Sequence, residues 1–241
     1  MAYYPRQDTG PGYQAGSDVT ENIDPGLRQY MLRVYNFMAG GLIVSALTGY
    51  AAAQTGFYQQ IAGTPLIWVV MLTPLAAVFF LSFRIERMSF AAAQLTFWIY
   101  AILMGLSLSG IFLVYTDASI VRTFFIAAAT FGAMSLYGYM TGRDLTRFGS
   151  FLFMGLIGII LASLVNVFVA SAALQFAVSV IGVVLFVGLT AYDTQRIKEI
   201  YIESDESEAL SKKALIGALT LYLDFINLFV MLLQLTGERR D

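Results

Sequence analysis

Asp224 lies alone in a long apolar run, Ala214 to Thr236, that reads ALIGALTLYLDFINLFVMLLQLT. A lone carboxylate deep in a bilayer costs about 2.5–3.5 kcal/mol on insertion scales. Such a residue turns to a bundle interior or a watery cavity and takes a partner. The candidate partner is Asp193, at the end of the preceding apolar run, in LFVGLTAYDTQRI. Two carboxylates on consecutive membrane helices point to proton-linked chemistry. If they meet, both cannot readily stay ionised, and the pair titrates as a unit. At 100° per residue, Thr220, Asp224, Asn227 and Gln234 fall within about 80° of one another, a polar stripe on an otherwise Leu, Phe, Ile and Val helix. That stripe must face protein or water, so the last helix belongs at or near the centre. Asn166, in the fifth run, is a further donor for the same interior, or for a plain interhelical hydrogen bond.

Depth works against the pairing. At 1.5 Å per residue, Asp193 lies about 8 Å inside Lys198, and Asp224 about 16 Å inside Lys213. Direct contact then needs tilt or a water-filled inner vestibule. Arg84 closes the second run, in LSFRIERM. It is either a snorkelling interfacial arginine or a latch that holds Asp193 ionised and ties neighbouring helices together.

Composition sets the medium. Of the 241 residues, 58% are hydrophobic and 12% charged, with mean hydropathy +0.71. Soluble domains carry about twice that charged fraction. The chain reads as an integral membrane protein whose main surroundings are the lipid bilayer. A net charge of −2 argues against a nucleic-acid partner. There is no Cys and no His, which removes thiol nucleophiles, thiolate metal sites and the usual general base. No cofactor is expected. Ionisable chemistry falls to Asp, Glu, Arg, Lys and Tyr.

Seven apolar runs approach the roughly 20 residues that a spanning helix needs: Val34–Ala53, Leu66–Phe83, Ala91–Tyr115, Ile120–Thr141, Phe148–Ala170, Leu174–Tyr192 and Ala214–Thr236. The expected fold is an all-α membrane protein of seven transmembrane helices with the last one central. Residues 1–27, rich in Gly, Pro, Tyr and Asp, read as a disordered tail without a signal peptide's basic start and apolar centre. Residues 28–241 read as one transmembrane domain, with a long loop only between the last two runs. That loop carries Glu199, Glu203, Asp205, Glu206 and Glu208, a solvated acidic stretch without EF-hand spacing. Small residues at Gly41, Ser45, Gly49 and Ala53 form one close-packing face on the first helix, and Gly155 and Gly158 serve the same end. With the N-terminus inside, eleven of the 14 basic residues fall on inner segments, leaving Arg122, Arg239 and Arg240 outside. The positive-inside rule therefore expects a cytoplasmic N-terminus and an outer C-terminus.

Four stretches also resemble a known family: VYNFMAGGLIVSALTGYAAA, RDLTRFGSFLFMGLIGIILASLVNVFV, VGLTAYDTQRIKEIY and LYLDFINLFVMLLQLTG. They are similar to the bacterial branch of the Bax inhibitor family, also called transmembrane Bax inhibitor motif proteins. The resemblance covers nearly the whole chain after residue 28 or so, and it places the protein in a bacterial inner (plasma) membrane. It implies a seven-helix fold with a central last helix. It also implies a calcium leak controlled by pH through a paired-aspartate sensor, with Asp193 and Asp224 at the positions of that pair. Arg84 matches a basic position that can bridge to the sixth-helix aspartate. Calcium is the permeant ion so implied, touching Asp193 and Asp224 in passing. The loop between the aspartates is longer here than in compact relatives. Some bacterial relatives instead associate with a membrane-bound AAA protease and restrain it.

Three readings compete. A pH-sensitive cation leak suits oxygen ligands and a hard ion, with Asn227, Thr220 and Asn166 as supporting polar groups. A regulator that binds a membrane-bound AAA protease, or another membrane protein, need not exclude the leak. An intramembrane aspartyl protease would also use two carboxylates around a water. That reading ranks last, because such enzymes carry a GxGD element where this chain has Leu221, Tyr222, Leu223 and Asp224, and no proline follows Pro74. No enzyme is expected. The orientation has a direct test, since the background holds no thiol. Glu203→Cys should react with an impermeant thiol reagent only after the cytoplasmic face is opened, and labelling on intact cells reverses the orientation.

Overall fold

The structure is a computed structural model that describes residues 24–240. Residues 1–23 of the expected tail lie outside the described residues. Asp24 starts the first helix by accepting a hydrogen bond from the Gly26 N–H at 2.8 Å, with Pro25 in the first turn. Proline is favoured there because its missing N–H has no helical partner to lose. The helices are α1 (Pro25–Gln54), α2 (Phe57–Ala62), α3 (Leu66–Arg84), α4 (Phe90–Leu108), α5 (Ile111–Val114), α6 (Asp117–Met140), α7 (Thr146–Val169), α8 (Ala172–Glu199) and α9 (Ser207–Thr236). The described residues are helical apart from turns, caps and one isolated bridge, as bilayer-spanning backbone requires.

Among the described residues, six helices are long and apolar enough to cross a membrane, counting α4 and α5 as one segment, Phe90–Val114. The expected second span forms α3, but its apolar stretch, Leu66–Leu81, is shorter than the others. Pro74 interrupts α3, and a proline inside a helix cannot donate to the carbonyl four residues back. The expected third span breaks at Ser109–Gly110 into α4 and α5. The expected long acidic loop contracts to residues 200–206, because α8 and α9 both run on past their apolar stretches. Lys212 pairs with Glu208 one turn back in α9, and Lys213 pairs with Asp205.

The last helix takes the centre. α9 packs against α8, α1, α6 and α4, and half of its apolar window is buried, against 6% for α7. The small-residue face of α1 is what lets α4 and α9 come close. Ser45 donates to the Ala101 carbonyl at 2.7 Å and shares a 2.6 Å hydrogen bond with the Tyr222 hydroxyl. A Cβ on Gly49 would sit 2.9 Å from the Gly105 carbonyl oxygen, and one on Gly41 would sit 2.9 Å from the Phe97 ring. Gly155 accommodates Leu185 of α8, whereas Gly158 meets nothing within 4 Å.

Beyond α9 the chain folds back as a short clasp. Thr116 N–H donates to the Glu238 carbonyl and Arg240 N–H to the Val114 carbonyl, both at 2.9 Å. Ser119 Oγ accepts from the Glu238 N–H at 2.9 Å, and the Arg240 guanidinium bonds the Tyr115 carbonyl and Asp117. Arg122 reaches Glu238 at 3.1 Å.

The tightest helix crossing gives a clean test. A Cβ on Gly138 of α6 would run into the Ala191 backbone of α8, whereas one on Gly132 would meet nothing within 4 Å. Gly to Ala inside a helix normally gains about 0.5–1 kcal/mol. Gly132→Ala should therefore hold or raise the thermal unfolding midpoint of the purified protein, and Gly138→Ala should lower it. Equal behaviour of the two would show that α6 and α8 do not cross here.

Candidate functional site

The register of α8 on α9 brings the acids together. Ser179 bonds Gln234 at 2.8 Å, Gly182 faces Met231, and Ile197 faces Gly217. In that antiparallel register Asp193 lies opposite Thr220 and Leu221, so Asp224 is one turn deeper, about 5.4 Å. Helical side chains lean toward their own N-terminus. Asp193, near the C-terminal end of α8, therefore leans deeper, and Asp224 leans back along α9 toward the helix start. The two side chains therefore lean toward each other across the α8–α9 contact, and both line the same chamber. The depth conflict came from treating Lys198 and Lys213 as level marks. Lys213 instead reaches back to the Ile200 carbonyl at 3.1 Å and to Asp205, so it sits further out than Lys198.

Asp224 is buried, with 5% of its surface exposed, and its Oδ2 has no hydrogen-bond partner in the protein. Asp193 is half-buried. Two cavities meet at the pair. A vestibule of about 320 Å³ is lined by Tyr30, Ile200 and Lys213 among others. A larger chamber of about 960 Å³ lies between α3, α4, α7, α8 and α9. Asp193, Arg196 and Thr220 line both, and Asp224 and Asn227 line only the chamber. The acids thus stand at the partition between a vestibule opening beside Lys213 and a chamber within the bundle.

Other expected groups lie as follows. Thr220 returns its hydroxyl to the Ile216 carbonyl at 3.1 Å, and Asn227 Nδ2 donates to the Leu223 carbonyl at 2.8 Å. Each leaves its oxygen free to accept toward the chamber. Asn166 does not reach the interior. Its Oδ1 accepts from the Ser171 N–H at 3.0 Å and closes the α7–α8 turn. Arg84 is exposed at the end of α3 and forms no ion pair among the described residues. The cation beside Asp193 is Arg196, one turn on in α8 and lining the same two cavities. Sequence reasoning did not single out Arg196, although its i,i+3 spacing from Asp193 was readable. No group of three acids, His or Cys placed to hold a metal ion occurs among the described residues.

Related proteins share this chain over most of its length. The family model described as inhibitor of apoptosis-promoting Bax1 matches residues 27–241. An uncharacterized protein of Rickettsia prowazekii is 50% identical over 225 residues, 92% of this chain and 94% of its own. Inner membrane protein YbhL of Escherichia coli is 49% identical over 219 residues, 89% of this chain and 94% of its own. An uncharacterized protein of Caulobacter vibrioides is 43% identical over 231 residues, covering 91% and 92%.

The partition is open to chemical probing. Thr220 lines both cavities, whereas the adjacent Leu221 lines neither and is fully buried. In the cysteine-free background, Thr220→Cys should react with a small water-soluble thiol reagent at least about tenfold faster than Leu221→Cys, since thiolate chemistry needs access to water. Equal rates would mean that the vestibule does not admit water to the pair.

Proposed function

The chain belongs to the Bax inhibitor family of membrane proteins, and on that footing we propose that it is a pH-sensitive calcium leak gated by Asp193 and Asp224. What supports this reading is the place of Asp193, which lines both vestibule and chamber, one turn from Asp224, which lines the chamber. Two acids that share a proton offer a hard cation one carboxylate when the proton stays and two when it leaves. Proton and calcium compete for the same oxygens, so flux follows pH. A site of two carboxylates with hydroxyl and amide oxygens nearby holds calcium weakly, which suits an ion that must leave again. Arg84, exposed at the end of α3, is the second cation in this reading, and it latches Asp193 only if α3 moves toward that acid. The membrane is the inner membrane, as the name of YbhL states for that relative. The N-terminus faces the cytoplasm, following the basic bias of the inner segments.

The deciding experiment is reconstitution of the purified protein in liposomes loaded with a calcium dye, scanned over pH. Asp193→Asn and Asp224→Asn should each flatten the pH response, and the double variant should be little worse than either, because coupled residues do not add. Asp224→Asn should keep the fold, since an amide is cheaper to bury than a carboxylate. Single effects that sum would remove the shared-proton pair, and an absence of calcium flux at every pH would remove the leak itself.

A further inference from the structure

The chamber carries more than an ion needs. Among the described residues, two buried side-chain polar atoms have no hydrogen-bond partner in the protein: Asp224 Oδ2 and the Tyr100 hydroxyl. Both residues line the chamber. Tyr100 is 1% exposed, and its ring stands edge-on to Tyr222 with centroids 5.7 Å apart. Tyr222 satisfies its own hydroxyl on Ser45, so only one phenol of this stacked pair is left without a partner. A buried hydroxyl or carboxyl left unpartnered is costly, more so when charged. A carboxylate oxygen and a phenol oxygen are both acceptors, and together they suit a group with several N–H donors.

The rest of the chamber is unlike an ion site. Its walls are largely apolar, with Met71, Met104, Phe153, Leu156 and Met231 among them. Flexible thioethers adapt to irregular apolar shapes. A volume of about 960 Å³ falls within the roughly 300–1,000 Å³ range of organic-ligand sites. The charged residues lining the chamber are Asp193, Asp224 and Arg196, so a cation that enters as the shared proton leaves meets one acid in excess. The chamber also has a side entrance. α3 and α7 form facing walls, yet α3 packs on α4 and α7 on α8, with no extended contact between α3 and α7. Both helices carry exposed Phe, Leu and Met toward the surface, where lipid lies.

We propose that this chamber binds an amphipathic organic cation, a primary ammonium head with an apolar body, entering from the bilayer between α3 and α7. The ammonium sits between Asp224 and the Tyr100 hydroxyl, and the apolar body lies along the methionine and phenylalanine walls. This site goes beyond the leak. It uses Tyr100, to which the calcium path assigns no part, and it would hold its ligand with no gradient present.

The test uses the full-length protein in lipid nanodiscs and a diaminooctane dansylated at one end only, with the same molecule acetylated on its free amine as the neutral control. The free amine should bind saturably with a rise in dansyl emission, and the acetylated form at least about tenfold more weakly. Tyr100→Phe should weaken the amine alone by about three- to tenfold, and Asp224→Asn by more. Met104→Trp, which fills the apolar wall without touching charge, should exclude both molecules. The comparison of the two probes on the unaltered protein stands even where a variant fails to fold. Equal binding of both would reduce the chamber to an apolar cavity, and binding of neither would leave only an inorganic-ion site; each overturns the proposal. Amine binding without calcium flux would sink the leak alone. Calcium flux with indifference to the amino group would sink the ammonium site alone.

Discussion

A carboxyl group in the middle of the most buried helix is the constraint around which the bundle is arranged. Asp224 cannot face lipid, so α9 cannot lie at the periphery with that face outward. It must also have company, because an uncompensated buried charge is far more damaging than a pair is beneficial. The register that sets Ser179 on Gln234 and Ile197 on Gly217 supplies the company by placing Asp193 one turn away. The opposite face of α9 can then be closed by α1, whose small residues admit Tyr222 and the α4 backbone at hydrogen-bonding range. Removing any one of these arrangements exposes Asp224 to a medium that cannot solvate it.

The bundle divides into unlike halves as a result. α1, α4, α6 and α8 close on α9 through glycine contacts and buried hydroxyls such as Ser135, which bonds both Tyr35 and Thr194. α3 leans mainly on α4 and α7 mainly on α8, and they leave the chamber between them. Tight packing and open space therefore meet along a single helix, and the acids sit where they meet. Local opening comes most readily from elements with few buried apolar contacts, and here those are the chamber's outer walls.

Much of this was legible in the residues. The polar stripe of α9, its central place, the small-residue face of α1 and the identity of the two acids all follow from spacing and from the cost of burying polar groups. What failed did so for physical reasons. The depth estimate took two lysines as level, but long flexible stems let Lys213 reach Ile200 and Asp205 from further out. Asn166 was read by its apolar surroundings, whereas the Ser171 N–H, freed at the start of α8, claims it locally. Tyr100 gave no signal, because an aromatic residue in an apolar run looks like any other core residue until its neighbours are known. The gap between α3 and α7 was invisible too, since hydropathy reports which segments are apolar and not which of them touch.

The clasp after α9 has a mechanical meaning. At one end Lys213 ties α9 to Ile200 and Asp205; at the other, Glu238 and Arg240 are bonded to the start of α6 and the turn before it. A shaft held in bearings at both ends can neither slide along its axis nor turn without breaking several hydrogen bonds at once. α9 is thus the stator of this bundle. The acid at its midpoint thereby keeps a fixed address in the bundle.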